Sequence, residues 1–264
     1  MLKFIAACFA LLFVQWSARA QIINIDKTDT AAYTKKANWN GNIALGLEVD
    51  KQKSTLFDAS NFFDASLQQN HELFVFSASN RFTYNGPQDF LNTGFVHLRW
   101  RHNYKDTWHP ESFMQYQWDN ARGMLHRYIA GENLRYNIDH GSDWDLSAAT
   151  GVFYEDELWN YTAVDSSKIP PNPVNQKSRE VKSNNYIKWE GKVSAVSNIS
   201  IILFYQASFA DFFKPRISGT ANFDIAISKH FAWGVRYSGL YDVEPVVPIF
   251  KFYYSLSNNL VYKF

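Results

Sequence analysis

From Trp39 to the C-terminus, apolar and polar residues alternate with a period of two rather than 3.6. That is the spacing of a strand with one apolar and one polar face. The segment from Ile217 to Lys229 carries the pattern most cleanly. Ile217, Ala221, Phe223, Ile225 and Ile227 fall on one face, and Ser218, Thr220, Asn222, Asp224 and Ser228 on the other. After Lys229-His230 the alternation resumes, with Phe231, Trp233, Val235, Tyr237 and Tyr241 against Gly234, Arg236, Ser238 and Asp242. A short polar break between two such runs predicts a hairpin. Runs of this kind predict twelve strands, over 39–50, 55–68, 72–85, 91–104, 108–120, 124–138, 144–156, 184–196, 199–211, 217–229, 231–242 and 250–264.

The breaks predict a topology. Those after the even strands are short, around Gln69-Asn70, Lys105-Asp106, His140-Gly141-Ser142, Ser197-Asn198 and Lys229-His230. Those after the odd strands include Asn85-Gly86-Pro87-Gln88, the segment 157–183 with Pro170, Pro171 and Pro173, and 243–249 with Pro245 and Pro248. An even strand count with short turns at one end and longer loops at the other predicts an all-β, antiparallel, up-and-down transmembrane β-barrel. In lipid every backbone N–H and C=O must be satisfied, so a spanning sheet has to close on itself. A soluble sandwich or lipocalin-like barrel shows the same alternation turned inside out. The C-terminus favours the membrane form. Leu260, Tyr262 and Phe264 occupy the fifth-last, third-last and last positions, which resembles the terminal-strand signal read by the barrel-assembly machinery. Asn259 stands where that signal usually has glycine.

Composition then narrows the class. The chain of 264 residues holds 22 Phe, 15 Tyr and 9 Trp, yet its mean hydropathy is −0.32. So many rings exclude a disordered chain. The balance of 26 basic against 25 acidic residues leaves no excess charge for a nucleic-acid backbone. A barrel reconciles rings with polarity: lipid-facing residues and interfacial girdles carry the rings, and the polar residues line the lumen. Trp100, Trp108, Trp118, Trp144 and Trp189 are the girdle candidates. The expected lipid partner is the outer membrane.

The N-terminus predicts export. Lys3, an apolar run from Phe4 to Val14 and Ala18-Arg19-Ala20 fit a signal peptide over residues 1–20, cleaved near Ala20. Residues 21–38 are expected as a periplasmic leader and 39–264 as the barrel. The one cysteine, Cys8, lies inside the signal, so the mature chain has no disulfide to lean on.

Several motifs resemble one family. They are Trp39-Asn-Gly-Asn-Ile-Ala-Leu-Gly46, Ala130-Gly131-Glu-Asn-Leu-Arg-Tyr136, Thr150-Gly151-Val-Phe-Tyr154-Glu155 and Tyr241-Asp-Val-Glu-Pro245. Together they are similar to the DUF481, or YdiY-like, salt-induced outer-membrane proteins. The resemblance implies fold and location rather than an activity. Glu132 and the missing terminal glycine are departures from it.

By alternation the lumen receives Glu48, Arg81, Arg99, Arg101, Gln115, Gln117, Arg127, Arg135, Glu155, Lys188, Glu190, Lys192, Asp224 and Arg236. Such charges either pair to brace the barrel or form a constriction that selects small solutes by sign. The rival is a phospholipase-like lipid hydrolase, because His140 and Ser142 have the His-x-Ser spacing of a Ser–His pair. Asp139-His-Gly-Ser-Asp143 is ordinary turn chemistry, which favours no catalytic role. No zinc-type Cys/His cluster, EF-hand or phosphate loop is present in the sequence. No cofactor is expected.

Overall fold

The computed structural model describes residues 34–51, 55–85, 90–140 and 143–263. Twelve strands follow one another: β1 (Thr34–Lys51), β2 (Thr55–Asn70), β3 (Glu72–Asn85), β4 (Phe90–His102), β5 (Trp108–Asp119), β6 (Met124–His140), β7 (Trp144–Trp159), β8 (Gln176–Ser194), β9 (Ser197–Ser208), β10 (Arg216–Ala226), β11 (Phe231–Asp242) and β12 (Phe252–Lys263). Each pairs antiparallel with its neighbours in sequence, and β1 pairs with β12 from Asn42↔Lys263 to Leu45↔Leu260. The sheet is therefore a closed antiparallel barrel with no free edge.

Alternation decides which side chain faces where. On β5 the odd positions from His109 to Asp119 are buried, while Trp108, Met114 and Tyr116 are exposed. On β11 the outward set is Phe231, Tyr237 and Tyr241, and Ala232 and Leu240 face inward. The outward rings segregate by height. Trp39, Trp100, Trp108, Trp144 and Trp189 are exposed near the end that carries the short turns. Tyr84, Tyr128, Tyr154, Tyr241, Phe252 and Tyr254 are exposed toward the opposite, loop-bearing end. Trp118 also faces outward at the loop end, lying over the Gly94 backbone, where a Cβ would strike the indole.

Several boundaries differ from the sequence expectation. β1 begins at Thr34, inside the segment expected as a leader, and β8 begins at Gln176 rather than 184. The long loop thus spans 160–175, because Lys177 and Arg179 on β8 pair with Asp156 on β7 and extend the hairpin beyond the apolar zone. The alternation of turn lengths is not strict: 103–107, after β4, is longer than 120–123, after β5. In the first, Asn103 takes a left-handed φ of 52°, and Asp106 N–H closes on its carbonyl at 2.8 Å. In the second, a single 3-10 turn over Asn120–Arg122 ends on Gly123 at φ 81°, a conformation a side chain would strain.

Candidate functional site in the barrel lumen

Two belts of polar side chains cross the lumen. Nearer the loop end, Arg127 on β6 lies 2.6 Å from Glu155 and 3.1 Å from Glu157, both on β7. Arg216 on β10 reaches Glu157 at 2.6 Å, Glu155 at 3.2 Å and Asp242 on β11 at 2.8 Å. Lys182 on β8 completes the set, 2.5 Å from Glu155. Three cations thus meet three carboxylates, as burial of charge requires. β7 and β10 are three strands apart in the barrel, so the Arg216–Glu157 contact bridges the lumen. Arg127 adds a second bridge, Nη2 donating to Gln206 of β9 at 3.3 Å.

The second belt lies nearer the short-turn end and centres on Glu111 of β5. Its carboxylate accepts from Arg101 Nε at 2.7 Å, Asn133 Nδ2 at 2.8 Å and the Tyr186 hydroxyl at 3.1 Å. Tyr186 belongs to β8, so this contact also crosses the barrel. Arg135 Nη1 donates to the same hydroxyl at 3.2 Å, and Arg99 Nη1 stands 3.4 Å from Glu111. Between the belts lies a small cavity of about 20 Å³, room for one or two water-sized particles, walled by residues of β4, β5, β6, β8 and β9.

Apolar packing holds two loops against the loop end of the barrel. Val164 and Val247, from the loops after β7 and β11, are buried against Met124 and the inward Trp159. Arg122 lies over the rings of Trp159 and Tyr253 and pairs with Asp119 at 2.7 Å. Outside this cap, Lys214 joins Glu244 at 3.0 Å and Asp211 at 3.6 Å, linking two loops. The hydrogen bond to Glu244, with the charge of Asp211, holds its ammonium above the usual lysine range.

Among the lumen candidates read from the sequence, Arg99, Arg101, Arg127, Arg135 and Glu155 are buried within these belts. Arg81 lies apart from them, gripped by Asp58 at 2.9 Å while Thr83 donates to the same carboxylate. Arg236 stacks 4.7 Å over the Phe62 ring, and Asp224 shares its inward face. Gln115 and Gln117 are buried, and Lys188 meets Glu190 at 2.8 Å. Lys192 does not join the lumen: it is exposed at the end of β8, 3.8 Å from Asp143. The side chain of Glu48 lies outside the described residues, as do Ser142, the His140 side chain and Phe264.

Sequence reasoning missed Glu111, Glu157, Lys182, Tyr186 and Arg216. Glu111 shares its strand parity with Gln115 and Gln117, so alternation contained it. Glu157 and Arg216 fell one residue outside the expected ends of their strands. Among the described residues, no three His, Cys, Asp or Glu side chains gather as a metal site.

No family model and no curated protein matches the sequence. Solved structures do match the fold. An outer membrane channel from Pseudomonas putida F1 is 9% identical, with a TM-score of 0.50 over 91% of this chain and all of that one. The NanC porin is 11% identical with a TM-score of 0.42, over 85% of this chain and 97% of that one. The β domain of the Bordetella autotransporter BrkA is 9% identical with a TM-score of 0.40, over 86% and 97%. At such identity the likeness is one of fold.

Proposed function

We propose that the chain is an outer-membrane barrel of a Gram-negative cell whose polar lumen passes only ions and small solutes. It is exported by its N-terminal segment and acts without catalysing a reaction. The observation that carries this reading is the pair of cross-lumen belts, Arg216–Glu157 and Tyr186–Glu111. They fill the lumen with paired charges in place of a wide aqueous pore, and a constriction of that kind discriminates by size and sign. The outward girdles support the lipid setting, since Trp and Tyr rings settle at the two lipid–water interfaces. The exposed Tyr262 on β12 suits recognition by the barrel-assembly machinery together with Phe264. A purely structural barrel is the second reading, favoured by the Val164 and Val247 cap.

Planar-bilayer recording of the refolded protein separates the two. Small discrete conductance steps are expected; complete electrical silence at every voltage selects the structural barrel.

Glu132 provides a test of the lipid setting. It lies at the midpoint of β6, on the outward face, and accepts a long 3.5 Å contact from the Ser112 hydroxyl. An outward carboxylate at mid-bilayer is a cost, so Glu132→Leu is expected to raise the unfolding free energy in lipid by about 1–2 kcal/mol. Urea titration in vesicles measures it, and an unchanged or lowered stability contradicts the placement.

A further inference from the structure

We infer that the cavity between the two belts is a binding site for a small monovalent anion, seated on Arg99. The passage of such an ion rests on the reading of a solute-passing lumen; its binding does not.

Arg99 is 4% exposed, and neither its Nε nor its Nη1 has a hydrogen-bond acceptor. Its nearest carboxylate does not supply one. Glu111 stands 3.4 Å from Nη1, an ion pair without hydrogen-bond geometry, and its carboxylate also serves Arg101, Asn133 and Tyr186. A buried cation whose donors lack acceptors is costly, and an anion relieves that cost more fully than a neutral molecule does. The guanidinium is part of the cavity wall, as is that of Arg127.

The rest of the wall fits a small anion that has shed most of its water. His97 presents Nε2 without a partner, and its Nδ1 is held by Gln115 Oε1 at 3.0 Å. Gln115 Nε2 donates to Gln117, which leaves Oε1 as acceptor and makes Nδ1 the donor. With Nδ1 committed to Gln115, Nε2 is left for a single water beside the ion. Phe113 and Phe204 supply apolar walls, and no carboxylate lines the cavity among the described residues. The Arg127–Gln206 bridge closes it toward the loops. Two arginines in the wall and no carboxylate among the lining residues exclude a metal cation from the same space.

Bromide is the probe. Wild-type crystals grown with bromide in place of chloride are expected to show an anomalous peak within hydrogen-bond distance of the Arg99 guanidinium. The peak disappears in Arg99→Gln while peaks elsewhere persist. In solution, wild-type protein in detergent broadens the chloride-35 resonance, nitrate reverses the broadening, and Arg99→Gln loses the reversible part. Bromide peaks on exposed lysines but none at Arg99 in wild type overturn the site, and so does nitrate-reversible broadening that survives in Arg99→Gln. Should that variant not fold, the wild-type peak decides alone. Silence in planar bilayers together with a bromide peak removes the conduction reading and leaves the anion site standing.

Discussion

Arg216→Met is expected to lower the stability of the folded barrel by about 3–5 kcal/mol, the cost of leaving buried charges unpaired. Arg216 is the only described side chain that touches Glu155, Glu157 and Asp242 together. Without it, Arg127 and Lys182 face three carboxylates in a site where each of the three is largely shielded from water. Removing one acid as well restores the balance. The double variant Arg216→Met with Glu157→Met is expected to recover most of the loss, because a neutral apolar pair of similar volume is tolerated where an unpaired charge is not. Urea unfolding of both variants in vesicles, against each single change, gives the coupling. A single variant as stable as wild type removes the belt from the account. The double variant also deletes a cross-lumen bridge, so its conductance should exceed that of wild type.

The second large effect is expected on the other face. Leu203 lies at the centre of β9 and is 52% exposed, pointing away from the lumen. Leu203→Arg is expected to cost about 2–4 kcal/mol in lipid, the penalty for a guanidinium at the bilayer midplane. Ser255 on β12 pairs with Ser238 and faces the lumen. Ser255→Asn should therefore stay within about 0.5 kcal/mol. In a soluble barrel of the same alternation the exposed Leu203 would meet water, and an arginine there would cost nothing. The contrast between these two positions is thus a direct reading of which face meets lipid.

Much of this architecture was legible because a strand with two different environments writes them at alternate positions. β11 runs from Phe231 to Asp242, as its alternation predicted, and its neighbour β10 differs only at its ends. β8 was read eight residues short because Gln176 to Lys182 carries polar groups on both faces. That stretch rises beyond the apolar zone, and a strand solvated on both sides has no alternation to show. The lumen site was legible residue by residue but not as a site. Parity placed Arg99, Arg101, Arg127, Arg135 and Glu155 inward. It could not say that Arg216 would meet Glu157, 59 residues away, or that Tyr186 would meet Glu111, 75 residues away. Those partners come together only when β1 closes on β12 and fixes which strands face each other across the lumen.

The most direct measurement of the central claim, a lipid-embedded barrel with its rings outward and its charges inside, is tryptophan quenching by brominated lipids. Trp39, Trp100, Trp108, Trp144 and Trp189 are all exposed near one end of the barrel. Bromines placed near the headgroup end of the acyl chains are expected to quench the fluorescence strongly, and bromines at the chain termini to quench it less. Fluorescence that no brominated lipid quenches would contradict the claim.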